Sequence, residues 1–423
     1  MERKIYSVAI IGVGSRGADV YGSLINKLND SFRIVSLCDK KTEQLERFGE
    51  IFGVEKENRF TDENEFFAKK RSDVIIIATL DNDHVRHTLK ALGLGYDILV
   101  EKPLTGNRED CEKLLAAQKK YGGKVLVCHV LRYAPAFLKA AELINNGTIG
   151  KLVAIDALER VAYWHQAHSY VRGNWRNNAV AMPMILAKCC HDLDLIQYYA
   201  NSKCETVSSV GDLAYFKPEN APEGAADRCL DCKYCDSCPY SAKRIYIDDP
   251  KKNGGIPSDS WPTNVLCPAP VTEEKLLSAL KDGPYGRCVF RCDNDVVDHQ
   301  ITLMTFENGV KASLTMTAFT HGGGRRINFH GTLGEIILDE EKNELSVRPF
   351  GKEIENINTN SLLVADKGFA HGGGDYGLIS TLYDAVSGKG DERTSLSASI
   401  ESHLMGIAAE ESRKQGGKEI KVH

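Results

Sequence analysis

A short run rich in Val and Ile, residues 7–11, passes directly into Gly12-Val13-Gly14-Ser15-Arg16-Gly17. Glycines at that spacing, between a strand and a helix, permit a tight turn, close approach of backbone to a pyrophosphate, and close packing of helix on strand. The helix that follows points its unpaired N–H groups at the same phosphates. Further apolar runs at 34–37, 74–78, 98–100 and 125–127 are short and Val/Ile-rich, as strands buried on both faces are. Amphipathic stretches at 83–92 and 110–120 lie between them and are long enough to be crossover helices. The alternation predicts an α/β, doubly wound parallel sheet over residues 1–130.

Asp39 closes the second of these runs, 22 residues after Gly17. A carboxylate there accepts hydrogen bonds from the ribose hydroxyls of a dinucleotide and repels a 2′-phosphate, so NAD is expected rather than NADP. Lys40 and Lys41 partly offset that repulsion but read more simply as a solvated helix start.

At 423 residues the chain is long enough for two or three domains, and residues 131–423 are left for a second region. Fifty-three basic against 58 acidic residues leave a net charge of −5, which argues against nucleic acid or an anionic membrane as partner. No apolar run approaches the roughly 18–20 residues of a membrane span. The apolar stretch at 8–13 is too short for a signal-peptide core, so a cytoplasmic protein is expected.

Thirteen cysteines are present, and seven of them (Cys229, Cys232, Cys235, Cys238, Cys267, Cys288 and Cys292) crowd into one stretch. An odd count without a secretory signal favours reduced thiols over disulfides. Residues 217–292 are dominated by Pro, Gly, Asp and Lys with little apolar periodicity, and are expected to lack a sizeable core of their own. The tandem Cys229-x2-Cys232-x2-Cys235-x2-Cys238 predicts a structural zinc, with Cys267, Cys288 and Cys292 as alternative ligands. The spacing is also one residue short of an iron–sulfur pattern that ends in Cys-Pro. Unligated thiols are the third reading.

Three segments extend the reading beyond a generic dinucleotide fold: Ala78-Thr79 with His84 following, Glu101-Lys102-Pro103 at a strand end, and Arg132-Tyr133 with Pro135. Together with Gly331-Thr332-Leu333-Gly334 and the helical pattern at 395–413, they resemble the glucose–fructose oxidoreductase/inositol dehydrogenase (Gfo/Idh/MocA) family. The resemblance covers nearly the whole chain outside about 217–290. It implies a Rossmann domain followed by an α/β domain with an open, mostly antiparallel sheet whose exposed face forms a homodimer or homotetramer contact. Independently, residues 153–161, 207–216, 300–306 and 310–318 read as longer alternating strands, and 183–200 and 376–387 as helices.

By that resemblance Thr79, His84, Glu101 and Lys102 flank the cofactor together with Gly12, Gly14, Ser15, Arg16, Gly17 and Asp39. Lys102, at a strand's C-terminal end, faces the substrate hydroxyl or the nicotinamide ribose, and its charge favours a developing alkoxide. Glu101 is expected to orient it through an ion pair. Lys188, His191 and Asp194 are spaced three apart, so neighbouring members share a helix face. His191 matches the family's proton-accepting histidine. The family's aspartate four residues earlier is Ala187 here, and Lys188 is expected to polarise the hydroxyl in its place.

The segment 163–176 holds four aromatics, two histidines and two arginines. Tyr163, His165, His168, Arg172, Trp175 and Arg176 are expected to line a sugar site with His191, by stacking and hydrogen bonding, or else an oligomer interface. His371-Gly372-Gly373-Gly374-Asp375 reads as a closing loop or as a turn with Asp375 capping a helix, and His129 as a further pocket candidate.

These features favour an NAD-dependent oxidoreductase acting on a secondary alcohol of a carbohydrate or cyclitol. The alternatives are a redox-neutral NAD-dependent glycosidase or lyase working through a transient keto-sugar, and a non-catalytic nicotinamide-responsive regulator.

Overall fold

The computed structural model describes residues 4–255, 259–363, 371–390 and 393–423. Six strands form the first sheet: β1 (Tyr6–Ile11), β2 (Phe32–Cys38), β3 (Arg59–Phe60), β4 (Val74–Ile77), β5 (Asp97–Val100) and β6 (Val125–Val127). All are parallel, in the order β3-β2-β1-β4-β5-β6. The expected Rossmann sheet is therefore present, and the strand order reverses between β1 and β4, where such sheets open a ligand crevice. The central strands are apolar over Val8–Ile11, Val74–Ile77 and Ile98–Val100 because both faces are covered. Val8, Ile10, Val74 and Ile76 pack into one core, while Ala9, Ile11, Ile75 and Ile77 pack into the other. Each such buried aliphatic side chain contributes about 1.5–3 kcal/mol.

The second sheet has nine strands: β7 (Leu152–Arg160), β8 (Cys204–Asp212), β9 (His299–Phe306), β10 (Lys311–Thr317), β11 (Gly324–Gly331), β12 (Gly334–Asp339), β13 (Glu344–Pro349), β14 (Glu355–Asn358) and β15 (Ile420–Lys421). Their order is β14-β13-β12-β11-β7-β10-β9-β8-β15, and β7–β10 is the parallel pair in an otherwise antiparallel sheet. Helices Pro135–Asn145, Cys190–Ala200 and Leu396–Lys414 cover one face. The opposite face leaves Val153, Val210, Ile301 and Leu303 about half exposed.

The end of the chain returns to the first sheet. Helix Gly374–Val386 buries Leu378, Ile379 and Leu382 in the core under β1, and Leu396 and Ile400 enter the core on the other side. The Val127 N–H donates to the Thr394 carbonyl at 2.9 Å.

Three local expectations need correction. The predicted helix at 183–200 is two helices, Met184–Ala187 and Cys190–Ala200, with Lys188 and Cys189 at the break. Asp375 is not a cap: Gly373, at φ +87°, precedes the helix, and Asp375 turns inward. The insert between β8 and β9 does bury a core, built from Phe216, Ile245, Tyr246, Leu276, Leu280 and Phe290 against Ala167 and Val171. Its apolar residues come from short irregular segments and the helix Glu273–Asp282, so no long periodicity announces them.

Candidate active site

The glycine turn is shaped by steric necessity at two positions. A Cβ on Gly12, which sits at φ +90°, would lie 2.4 Å from the Ala78 carbonyl oxygen, and one on Gly17 would lie 2.0 Å from the Gly12 carbonyl oxygen. Gly14 has nothing within 4 Å of that position, which leaves an open cradle at the start of the helix led by Ser15. A cradle of backbone N–H groups free of side chains is what a pyrophosphate requires, so these residues fit a dinucleotide. Asp39 stands beside it, its Oδ2 accepting the Val13 N–H at 2.7 Å and its Oδ1 the Lys41 N–H at 2.9 Å.

Arg16 does not turn toward the cradle. Its Nε donates to Glu101 Oε1 and its Nη2 to Asp375 Oδ1, both at 2.6 Å, and it also bonds Tyr21 Oη. Tyr21 in turn donates to Glu101 Oε1 at 2.7 Å. The expected Glu101–Lys102 ion pair is therefore replaced by a Glu101–Arg16 pair. Glu101 touches Lys102 through the backbone, accepting the Lys102 N–H at 3.0 Å. Although burial opposes its charge, the neighbouring Arg16 and Lys102 hold the Glu101 carboxyl down at about 2.

His84 cross-links two loops at the strand ends. It is buried, with Nδ1 2.7 Å from the Pro103 carbonyl oxygen and Nε2 3.0 Å from that of Thr79. The Thr79 hydroxyl lies 3.1 Å from His87 Nδ1.

Lys102 leads out of β5 beside this network. Its Nζ makes one long hydrogen bond, 3.5 Å to the Ala187 carbonyl oxygen. Burial opposes the ammonium charge, but Cys190, Glu101 and Asp81 outweigh it and the pKa moves up. Asp81 is buried, with Oδ2 unpartnered and Oδ1 3.4 Å from Trp175 Nε1, and burial raises its pKa. No pattern around Asp81 marks it in the sequence.

His191 is buried with Nδ1 unpartnered, and burial, reinforced by Lys102 and Arg325, holds its pKa well below the usual range. Its ring centroid is 6.0 Å from that of His129 and 5.9 Å from that of His371. His371 is partly exposed, at φ +58°, and its Nδ1 lies 2.9 Å from Asp375 Oδ2. Asp375 thus joins the Arg16 network to His371, a link that proximity in sequence does not reveal.

The expected shared face of Lys188, His191 and Asp194 is not formed. Lys188 Nζ pairs with the buried Glu159 at 3.0 Å, and Glu159 also pairs with Arg325, whose Nε donates to Asp192 at 2.8 Å. Asp194 instead holds Arg132 through Nε and Nη2, at 2.6 and 2.8 Å.

The aromatic segment divides in two. Trp175 reaches Asp81, and His165 lies within electrostatic reach of Lys188 and Lys102. Tyr163 stacks with His321 and meets Tyr240 edge-on. His165 also meets Trp261 of the insert, at 5.0 Å edge-on, so it and Tyr163 touch the insert as well as the site side. The other three are wholly taken up there and correct the sugar-lining expectation. His168 stacks on Tyr285 at 4.8 Å and bonds Tyr246 Oη at 2.7 Å. Arg176 pairs with Asp293 at 2.8 Å. Arg172 is fully buried, donating to the carbonyls of Arg287 and Tyr240, each at 2.7 Å. A guanidinium enclosed in this way is not available to a substrate carboxylate.

Among the described residues, no group of three or more His, Cys, Asp or Glu side chains is arranged to hold a metal ion. The zinc site expected from Cys229, Cys232, Cys235 and Cys238 is thus not formed as a single-ion site. Cys229, Cys232, Cys235, Cys238 and Cys288 line one cavity instead, and Cys267 and Cys292 lie outside its lining.

Comparison with known proteins agrees with this arrangement. Residues 6–129 match the oxidoreductase family's NAD-binding Rossmann fold, and 141–422 match its C-terminal alpha/beta domain. The protein YteT of Bacillus subtilis (strain 168), provisionally named an oxidoreductase, is 24% identical over 402 residues, 89% of this chain and 88% of its own. A 2,7-anhydro-N-acetylneuraminate hydratase of Mediterraneibacter gnavus is 24% identical over 208 residues, 49% of this chain and 53% of its own. A levoglucosan dehydrogenase structure, in complex with NADH and levoglucosan, superposes with TM-score 0.71 at 18% identity, over 99% of this chain and all of the other. A glycine cradle on a Rossmann sheet, a lysine at the end of β5 and a nine-stranded second sheet, matched along both halves, make this chain a member of the Gfo/Idh/MocA family of NAD-binding oxidoreductases.

Proposed function

We propose that the chain is an NAD-dependent dehydrogenase of a carbohydrate or cyclitol, oxidising a secondary alcohol to a ketone. The observation that carries this reading is the Lys102 ammonium: half-buried, charged, and held by one 3.5 Å bond beside the unpartnered Nδ1 of His191. A cation with spare donors at this place donates to a substrate hydroxyl oxygen and favours the alkoxide that develops on it. Asp39 selects NAD over NADP by its negative charge at the ribose end.

The chemistry supplied by bound NAD is acceptance of a hydride, with its two electrons, from the carbinol carbon. The hydroxyl proton goes to His191, which burial keeps neutral and able to accept it. The imidazolium so formed faces Lys102, Arg325 and His371, all unfavourable to a second positive charge. His371 then carries the proton outward, with Asp375 fixing its Nδ1–H so that Nε2 is the accepting atom. Lys188, tied to Glu159, positions the break between the two helices rather than polarising the substrate. Trp175 and His165 offer an aromatic edge and a polar tip to a sugar ring. The half-exposed Val153, Val210, Ile301 and Leu303 suit a contact with a second copy of the chain.

Incubation with NAD and a panel of sugars, cyclitols, uronates and aryl glycosides tests the reading. Near-ultraviolet absorbance of reduced nicotinamide must rise in step with a product lighter by two hydrogens. Release of an aglycone, or hydration of an anhydro-sugar, without net reduction of NAD overturns it.

A further inference from the structure

The proton path through His191 leaves the carboxylate of Asp81 unused. Asp81 follows β4 and Lys102 follows β5, the strand paired beside it, so both leave the sheet at the same edge. The His84 ring stitches the two loops together through the carbonyls of Thr79 and Pro103. From the second region, Trp175 Nε1 reaches Asp81 Oδ1 at 3.4 Å, and the Val180 carbonyl accepts from Asn82 Nδ2 at 3.2 Å. The 81–82 turn is thus tied to the same region of chain as Lys102, whose Nζ bonds the Ala187 carbonyl.

Only 6% of Asp81 is exposed, and its Oδ2 has no partner. Lys102 is within electrostatic reach, yet the two form no ion pair. A buried carboxylate oxygen without a donor is costly, and a cation nearby but out of contact does not supply one. The unused groups can be counted. An ammonium has three donors, and Lys102 spends one on Ala187. His191 Nδ1 and Asp81 Oδ2 are acceptors without partners. The ring of His129 is unpartnered too, but it is wholly buried against those of His191 and His403.

A hydroxyl accepts one hydrogen bond and donates another, so two hydroxyls satisfy both acceptors and both remaining donors. A hydroxyl has one proton to give. The proton that passes to His191 is not available to Asp81, which therefore needs a second hydroxyl. Two oxygens served by one ammonium nitrogen lie a few ångström apart, which is the spacing of hydroxyls on adjacent ring carbons.

We propose that Asp81 is a specificity-determining residue that requires a vicinal diol: its Oδ2 accepts from the hydroxyl next to the one oxidised, while Lys102 donates to both oxygens. The Trp175 indole N–H holds the other carboxylate oxygen, which leaves Oδ2 for the substrate. The inference rests on the dehydrogenase reading of the same site, and the product is then an α-hydroxy ketone.

The test pairs variants with substrate analogues. D-Glucose, D-galactose and myo-inositol, each beside its monodeoxy analogues, are titrated calorimetrically into the NADH-loaded chain and assayed with NAD for reduced nicotinamide. Removal of a hydroxyl beside the oxidised carbon is expected to lower affinity and kcat/KM about 10–10²-fold. Asp81→Ala is expected to lose as much on the parent polyol and to shrink the deoxy penalty to a fewfold, with NAD affinity and melting temperature little changed. Asp81→Asn, which keeps an acceptor oxygen, is expected to lose less. A purely structural carboxylate would leave the deoxy penalty as it is, and an undiminished penalty in Asp81→Ala overturns the proposal. So does weaker NAD binding in that variant, which assigns the carboxylate to the cofactor. Equal turnover of a polyol and all its monodeoxy analogues overturns it and leaves the dehydrogenase reading standing. A deoxy penalty in binding without reduction of NAD overturns the dehydrogenase reading alone, and refusal of every polyol in both assays overturns the two together.

Discussion

Two partly or wholly buried guanidinium groups sit in very different company. Arg16, in the glycine turn, meets Glu101, Asp375 and Tyr21, so its charge is answered within the chain. Arg172, in the wall of the insert, meets two carbonyls and a thiol, with one nitrogen unpartnered. The first region is electrostatically complete before any ligand arrives and serves as a rigid frame for Lys102. The second leaves one guanidinium nitrogen without a partner and its charge without a carboxylate among the described residues. A closed ion network fixes its neighbours, whereas a guanidinium held by carbonyls alone is anchored by geometry and not by charge.

The contrast can be broken most directly at Lys102. Lys102→Ala is expected to lower kcat about 10²–10³-fold, with NAD affinity and thermal stability little changed in titration and melting. A large loss of stability in that variant would show that the frame around Lys102 is not independent of it. Next in size is Arg16→Met, which strands two buried carboxylates and is expected to cost about 3 kcal/mol in urea unfolding. Arg172→Met is expected to cost less than Arg16→Met in the same experiment, because no carboxylate is left buried without a partner. Equal losses would dissolve the distinction between the two arginines.

His371→Gln sharpens the picture on the catalytic side. It is expected to reduce kcat about tenfold or more, with thermal stability little changed. An unaltered kcat would take the proton path away from His371.

An effect confined to acid pH is a dependence of stability set by His403. Its Nε2 accepts the Leu104 N–H at 2.9 Å and its Nδ1–H donates to the Ser399 carbonyl at 2.7 Å, so the ring is held neutral. Burial, then the neighbouring His129, pushes its pKa down to about 3. The unfolded chain, with a histidine pKa of about 6.5, binds the proton more readily. Stability from this group is therefore full above that value and declines as the pH falls toward 3. His403→Gln should flatten unfolding midpoints over that interval.

The framework of the molecule was legible where its signals are local. The glycine turn, the Asp39 at the end of β2 and the lysine at the end of β5 each announce themselves within a few residues of chain. Partners that lie far apart do not. Arg16 reads as a phosphate contact because its loop is one, yet Asp375, its partner, is 359 positions away. The segment 163–176 reads as a sugar site from composition, but the insert packs over half of it and takes His168, Arg172 and Arg176 for its own core and ion pairs. Lys188 was placed within a continuous helix because the apolar pattern continues through it. The backbone breaks there, and the side chain goes to Glu159, a residue that alternation on β7 marks only as buried.

Helix Gly374–Val386 closes the core beneath β1, and the Thr394 carbonyl bonds the edge strand β6. During synthesis, then, the nucleotide-binding sheet is finished only after residues 374–400 have left the ribosome. At roughly 5–20 residues per second, its exposed underside waits on the order of tens of seconds for that helix. A chain cut before Gly374 would leave the first sheet, and not only the second, without part of its cover.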